Sequence, residues 1–185
     1  NNKKEIEMTY LVGLSGPKGV GKTTTKSILI DTIQQKYDVG SVSFAEPVYN
    51  IVSEITGESV EWLKENKTSM WRDGFLAGWT PRRLLQYVGT DLFRNNLSQN
   101  IWIDIAVNKA KKSLLDIVIF DDCRFENEVK QLDLTIELQR AGVSYTGEHL
   151  SEMGGLPVDA QWSIDNPQYI TALAQYIIER YEATK

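Results

Sequence analysis

The sequence is poor in several things, and each shortage excludes a class. There is one cysteine, Cys123, so no internal disulfide can form, and a reducing compartment, the cytoplasm, is the expected setting. No uninterrupted apolar run approaches the length of a membrane span, and the charged start Asn1–Glu7 lacks the apolar core of a signal peptide. Basic residues are not in excess: 20 Lys+Arg stand against 25 Asp+Glu, a net charge of −5. That balance argues against a nucleic-acid polymer as partner, because binding a phosphate backbone normally requires a basic surplus. Repeats and low-complexity tracts are missing too. The lone histidine, His149, is read as a surface or structural residue, and Cys123 as a packed one without a basic partner to activate it.

What is present begins with glycine. Gly16-Pro-Lys-Gly-Val-Gly21-Lys22-Thr23 fits G-x-x-x-x-G-K-[ST]. It follows the apolar run Tyr10–Leu14, read as a buried strand, and precedes Thr23–Lys36, read as a helix. In that context the glycines turn backbone N–H groups toward phosphate oxygens, and the helix N-terminus adds partial positive charge. Lys22 is expected to reach the β- and γ-phosphates and Thr23 to place its hydroxyl on Mg²⁺. The chain is expected to bind a nucleoside triphosphate.

Further strands are expected at Gly40–Ala45, Asp116–Phe120, Leu134–Leu138 and about Trp162–Ile164. Helices are expected near Val48–Ile55, Pro81–Asn96, Trp102–Leu114, Glu126–Gln131 and Pro167–Ala183. Strands alternating with helices predict an α/β fold: a central parallel five-stranded sheet with helices on both faces, three layers, and ligands at the carboxyl ends of the strands. The predicted core covers about 9–45 and 116–185 of a single domain. The gap between strands two and three is too long for a simple crossover, so a helical insert over the P-loop is expected at about 46–100.

That insert holds four of the seven arginines, between Arg72 and Arg94, interleaved with Trp71, Phe75, Trp79, Tyr87 and Phe93. Thr80 suits an N-cap and Pro81 the first helical position. At about 100° per residue, Leu84, Leu85, Val88 and Leu92 share a core face, while Arg82, Arg83, Gln86, Thr90 and Arg94 share the other. A solubilising face normally mixes charges of both signs. This one offers arginine forks for phosphate and an amide for a base edge. The run Ile117–Phe120 ends in Asp121-Asp122, where a carboxylate can hold Mg²⁺ directly or through water.

Four passages together resemble the phage-type deoxynucleoside monophosphate kinases, within the adenylate and thymidylate kinase group of P-loop proteins. They are Gly16–Thr23; Thr80-Pro-Arg82 with Leu85-Gln86, Gly89-Thr90 and Arg94; Asp122-Cys-Arg124 with Asn127-Glu128; and His149-Leu-Ser151-Glu152 with Ile164-Asp-Asn166. The resemblance implies transfer of the ATP γ-phosphoryl group to a deoxynucleoside monophosphate, with Mg²⁺. It implies an ATP site of Gly16, Lys18, Gly19, Val20, Gly21, Lys22, Thr23, Thr24 and Arg140. The implied acceptor site is Ala45, Trp71, Arg72, Arg82, Arg83, Gln86, Thr90, Arg94, Arg124, Ser151 and Glu152. Asp122 is favoured over Asp121 for the metal shell, beside Thr23. A homodimer is consistent with related enzymes.

In adenylate-kinase-like proteins a lid after strand four often supplies arginines to the migrating group. Here the lid-like segment, about 141–166, contains neither lysine nor arginine. Arg124 and Lys18 are therefore expected to join Lys22 in neutralising transition-state charge. The plain alternative for Arg124 is an i,i+4 ion pair with Glu128. The competing enzyme is a small-metabolite kinase acting on an alcohol or phosphate acceptor. A GTPase-like switch is disfavoured, since Asn108-Lys109-Ala-Lys111 lacks the aspartate of a guanine-selecting Asn-Lys-x-Asp, and no glycine lies three residues after Asp121 or Asp122.

Overall fold

The computed structural model describes residues 8–145 and 154–185. The chain divides into two compact units, 1–43 with 106–185 and 44–105.

The first unit is built on five parallel strands: β1 (Tyr10–Ser15), β2 (Val39–Ser41), β3 (Ile117–Phe120), β4 (Leu134–Gln139) and β5 (Ala160–Ser163), in the order β2-β3-β1-β4-β5. Alternation decides what each sheet face meets. Val12 and Leu14 of β1 join Ile117 and Ile119 of β3 in one cluster with Leu29 and Ile33 of α1 (Lys22–Ile33). Leu173, Ala174 and Ile177 of the last helix (Pro167–Glu182) complete it. The alternate residues Leu11, Val118 and Phe120 are equally buried, as a parallel sheet covered on both faces requires. The last helix starts where the sequence says it should: the Asn166 side chain accepts from the Gln168 N–H at 3.0 Å, and Pro167 follows.

The second unit is helical. It contains α2 (Glu46–Thr56), α3 (Val60–Glu65) and α4 (Pro81–Gln86), around Val48, Val52, Leu63, Leu84, Val88 and Trp102. Thr80 caps α4 by accepting from the Arg83 N–H at 3.3 Å. Helix α5 (Ile101–Lys112) follows, and α6 (Glu126–Val129) comes after β3, which makes the last helix α7.

Three expectations are corrected. Strand two is 39–41 instead of 40–45: Val42 N–H still bonds Ile119 O, but α2 already begins at Glu46. Helix α3, capped by Ser59, is additional to the sequence reading. The helix from Pro81 does not continue in α register; Tyr87–Arg94 is π-helical, and Leu92, expected in the core, is 45% exposed.

Candidate active site

The P-loop owes its shape to backbone that only glycine adopts easily. Gly16 has φ 134° and Gly21 φ 112°, and a Cβ on Gly16 would lie 2.7 Å from the Leu138 carbonyl oxygen. Val20 is fully buried and anchors the loop, while Lys18, Gly19, Thr23 and Thr24 are exposed. Lys22 folds back over the loop: its Nζ donates to Gly16 O at 2.6 Å and Pro17 O at 3.0 Å. Burial, and then the positive charge of Arg124, lower its pKa. Two cations are therefore close enough to repel each other, which an arriving anion reverses.

Thr23 and Asp121 meet at this point. The Thr23 hydroxyl donates to Asp121 Oδ2 at 3.3 Å, and Lys26 pairs with the same oxygen at 2.9 Å. Asp122 instead accepts from the Ser43 hydroxyl at 2.6 Å. The sequence reading favours Asp122 for the metal shell; the carboxylate brought to the P-loop threonine is Asp121. Lys26 and Ser43 were not singled out from the sequence. The available signal was position: one turn past Lys22 for Lys26, and the carboxyl end of a strand for Ser43.

Cys123 is buried, and burial, then Asp122, push its thiol well above the ordinary range, so it is inert packing. Arg124 follows with an exposed side chain. The Glu128 carboxylate accepts from the backbone N–H groups of Arg124 (2.8 Å) and Phe125 (3.1 Å).

Over the carboxyl ends of β4 and β5 lies a cavity of about 540 Å³, lined among others by Pro17, Glu137, Arg140, Tyr145, Ser163 and Asp165. Arg140 Nη1 is 4.0 Å from where a Cβ on Gly21 would stand. Asp165 has a lowered pKa because the Ala141 N–H, then the Ser163 hydroxyl, donate to it, and Arg140 adds to the effect. Glu137 is buried and accepts from the Tyr145 hydroxyl at 2.7 Å and Gln161 Nε2 at 3.0 Å. Burial, then Glu137, raise the Tyr145 phenol's pKa.

In the second unit Arg72, Arg82, Arg83, Gln86 and Thr90 are exposed, while Ala45, Trp71 and Arg94 are half-buried. The Arg83 guanidinium stacks on the Trp79 ring at 4.1 Å, and Trp79 meets the Tyr87 ring edge-on at 5.7 Å. The candidate residues Ser151 and Glu152, and His149, lie outside the described residues.

Comparison with known proteins decides the family. The sequence profile described as deoxynucleotide monophosphate kinase matches residues 49–177. This chain belongs to the deoxynucleotide monophosphate kinase family. It is accordingly an ATP-dependent nucleotide kinase, with nucleotides as substrates. A protein of Acanthamoeba polyphaga mimivirus named as a deoxynucleotide monophosphate kinase is 33% identical over 163 residues, covering 77% of this chain and 80% of the viral one. The deoxynucleoside-5′-monophosphate kinase of Escherichia phage T5 is 27% identical over 186 residues, covering 71% of this chain and 74% of its own. A shikimate kinase from Bacteroides thetaiotaomicron overlays 94% of this chain and 98% of its own at 10% identity. Its TM-score of 0.39 is too low to carry an argument. Among the described residues no helix is long and apolar enough to cross a membrane.

Proposed function

We propose that this protein moves the γ-phosphoryl group of ATP onto a deoxynucleoside 5′-monophosphate, giving ADP and a deoxynucleoside diphosphate. The observation that carries this reading is Lys22 folded over the P-loop beside the Thr23–Asp121 pair, with the Arg124 charge acting on it. Two cations whose charges oppose each other in the free enzyme are stabilised once a transferring phosphoryl group lies between them. Because the acceptor phosphate is already anionic near neutral pH, no strong general base is needed. Positioning and charge neutralisation suffice.

The donor triphosphate is assigned to Gly16, Lys18, Gly19, Val20, Gly21, Lys22, Thr23 and Thr24, with Arg140 at its side. Bound Mg²⁺ would supply charge neutralisation of the β- and γ-oxygens. The hydroxyl of Thr23 and the carboxylate of Asp121, with Asp122 as neighbour, suit it: they are hard oxygen donors, few in number, and Mg²⁺ takes its remaining ligands from waters and phosphates. The acceptor is assigned to the Arg82, Arg83, Gln86, Thr90 and Arg94 face of the helical insert, with Ala45, Trp71, Arg72, Arg124, Ser151 and Glu152. A homodimer in the cytoplasm, without a nucleic-acid partner, completes the proposal.

The test is coupled ADP release with ATP and Mg²⁺ against a panel of deoxy- and ribonucleoside monophosphates, sugars and simple alcohols. Turnover with one or more deoxynucleoside monophosphates is expected. Turnover only with an alcohol would favour a small-metabolite kinase and overturn the assignment.

A further inference from the structure

Tyr87–Arg94 continues the helix from Pro81 but leaves α geometry for a π-helix. The Thr90 carbonyl takes its bond from the Asn95 N–H at 2.9 Å, five residues on, while Phe93 O is shared between the Leu97 N–H at 2.8 Å and the Ser98 N–H at 3.1 Å. Such segments are rare and frequently lie at functional sites.

The change of register matters for which side chains share a face. Measured around the axis from Arg82, an α-helix would put Gln86 at roughly 40°, Thr90 at roughly 80° and Arg94 at roughly 120°. A π turn advances only about 80° per residue, so from Tyr87 onward it returns both Thr90 and Arg94 to within roughly 25° of Arg82. Four residues spaced by four thus form one stripe instead of winding away. The same change moves Phe93. In α register it would stand roughly 20° from Arg82, on the polar side; it is instead packed in the insert's core.

One residue meets both consequences of the register. The Trp102 indole N–H donates to the Gly89 carbonyl at 2.8 Å in a buried hydrogen bond, and its ring packs on Phe93 at 5.1 Å. Trp102 itself is 2% exposed and has no route to a ligand of its own. Gly89 is buried, and a Cβ there would sit 3.4 Å from Val48 of α2, so the π turn is also held from its other side.

We propose that Trp102 is a positioning residue for the acceptor: its indole holds Tyr87–Arg94 in π register and so aligns Arg82, Gln86, Thr90 and Arg94 as one recognition stripe. The inference rests on the reading that this face takes the monophosphate.

The experiment replaces Trp102 by Phe and, in a second variant, by benzothienylalanine, which keeps the shape of indole and removes only the N–H. KM for the monophosphate and for ATP, kcat and thermal stability are measured for each, with Arg82→Ala in parallel. The expected result is a rise of about five- to tenfold in monophosphate KM, the worth of one buried hydrogen bond, with ATP KM within about twofold of the parent. If the benzothienylalanine variant keeps the parent's monophosphate KM while Arg82→Ala raises it, the register inference fails and the acceptor face stands. If Arg82→Ala also leaves it unchanged, the acceptor face fails, and the inference with it. Equal weakening of both substrates together with lost stability would make Trp102 merely structural and overturn the inference.

Discussion

The Thr23 hydroxyl and the Asp121 carboxylate, 98 residues apart in sequence, meet at 3.3 Å at the start of α1. This contact joins the end of β3 to the P-loop through Asp121, while Asp122 accepts from Ser43. Asp121→Asn is expected to lower kcat by about two decades, within the range for lost electrostatic stabilisers, and to raise the Mg²⁺ concentration needed. Asp122→Asn keeps an oxygen for the Ser43 hydroxyl and is expected to act more weakly. Titrating Mg²⁺ against both variants decides it; a more severe loss in Asp122→Asn would reverse the assignment.

Lys22→Ala should remove about two to three decades of turnover and leave the fold intact. The pKa shift gives the sign of its effect on stability. Lys22 is held below the ordinary lysine value by burial, then by Arg124, so the unfolded chain binds that proton more tightly. The penalty is present in full below the lowered value and fades as pH rises from there toward the ordinary lysine range. At neutral pH the ligand-free variant should therefore melt no lower than the parent. A thermal melt that drops by several degrees would show Lys22 to be structural.

Arg124→Ala tests where transition-state charge is met when the lid-like segment brings no cation. Its turnover is expected to fall by about two decades while both substrates still bind, and Lys18→Ala should act in the same direction more mildly. Turnover within a factor of a few of the parent would return attention to Arg140.

Glu128 is buried and anchors the backbone from which Arg124 projects. Glu128→Ala leaves two backbone N–H groups without that carboxylate and should cost about 1–3 kcal/mol in urea unfolding. Glu128→Gln keeps an acceptor and should cost less. A loss under about 0.5 kcal/mol in the alanine variant, as at an ordinary surface position, would contradict this role.

The P-loop was legible because its requirements are local: positive φ at Gly16 and Gly21, then a helix carrying Lys22 and Thr23. The sheet was legible because strands buried on both faces read as apolar runs. What stayed hidden depended on register or on distant partners. The helical wheel assumes 100° per residue, so it put Leu92 in the core and said nothing of Phe93, which the π turn brings inward. Asp121 and Asp122 are adjacent in sequence, and only the sheet's layout sends one to Thr23 and the other to Ser43. No local pattern distinguishes them.

The most direct test of the account follows the phosphoryl group itself. ATP labelled in the γ-phosphate is incubated with the protein, Mg²⁺ and each deoxynucleoside monophosphate, and the products are separated. The account predicts label in a deoxynucleoside diphosphate, formed one for one with ADP and only when the monophosphate is present. Label released as inorganic phosphate at a rate indifferent to the monophosphate would contradict it.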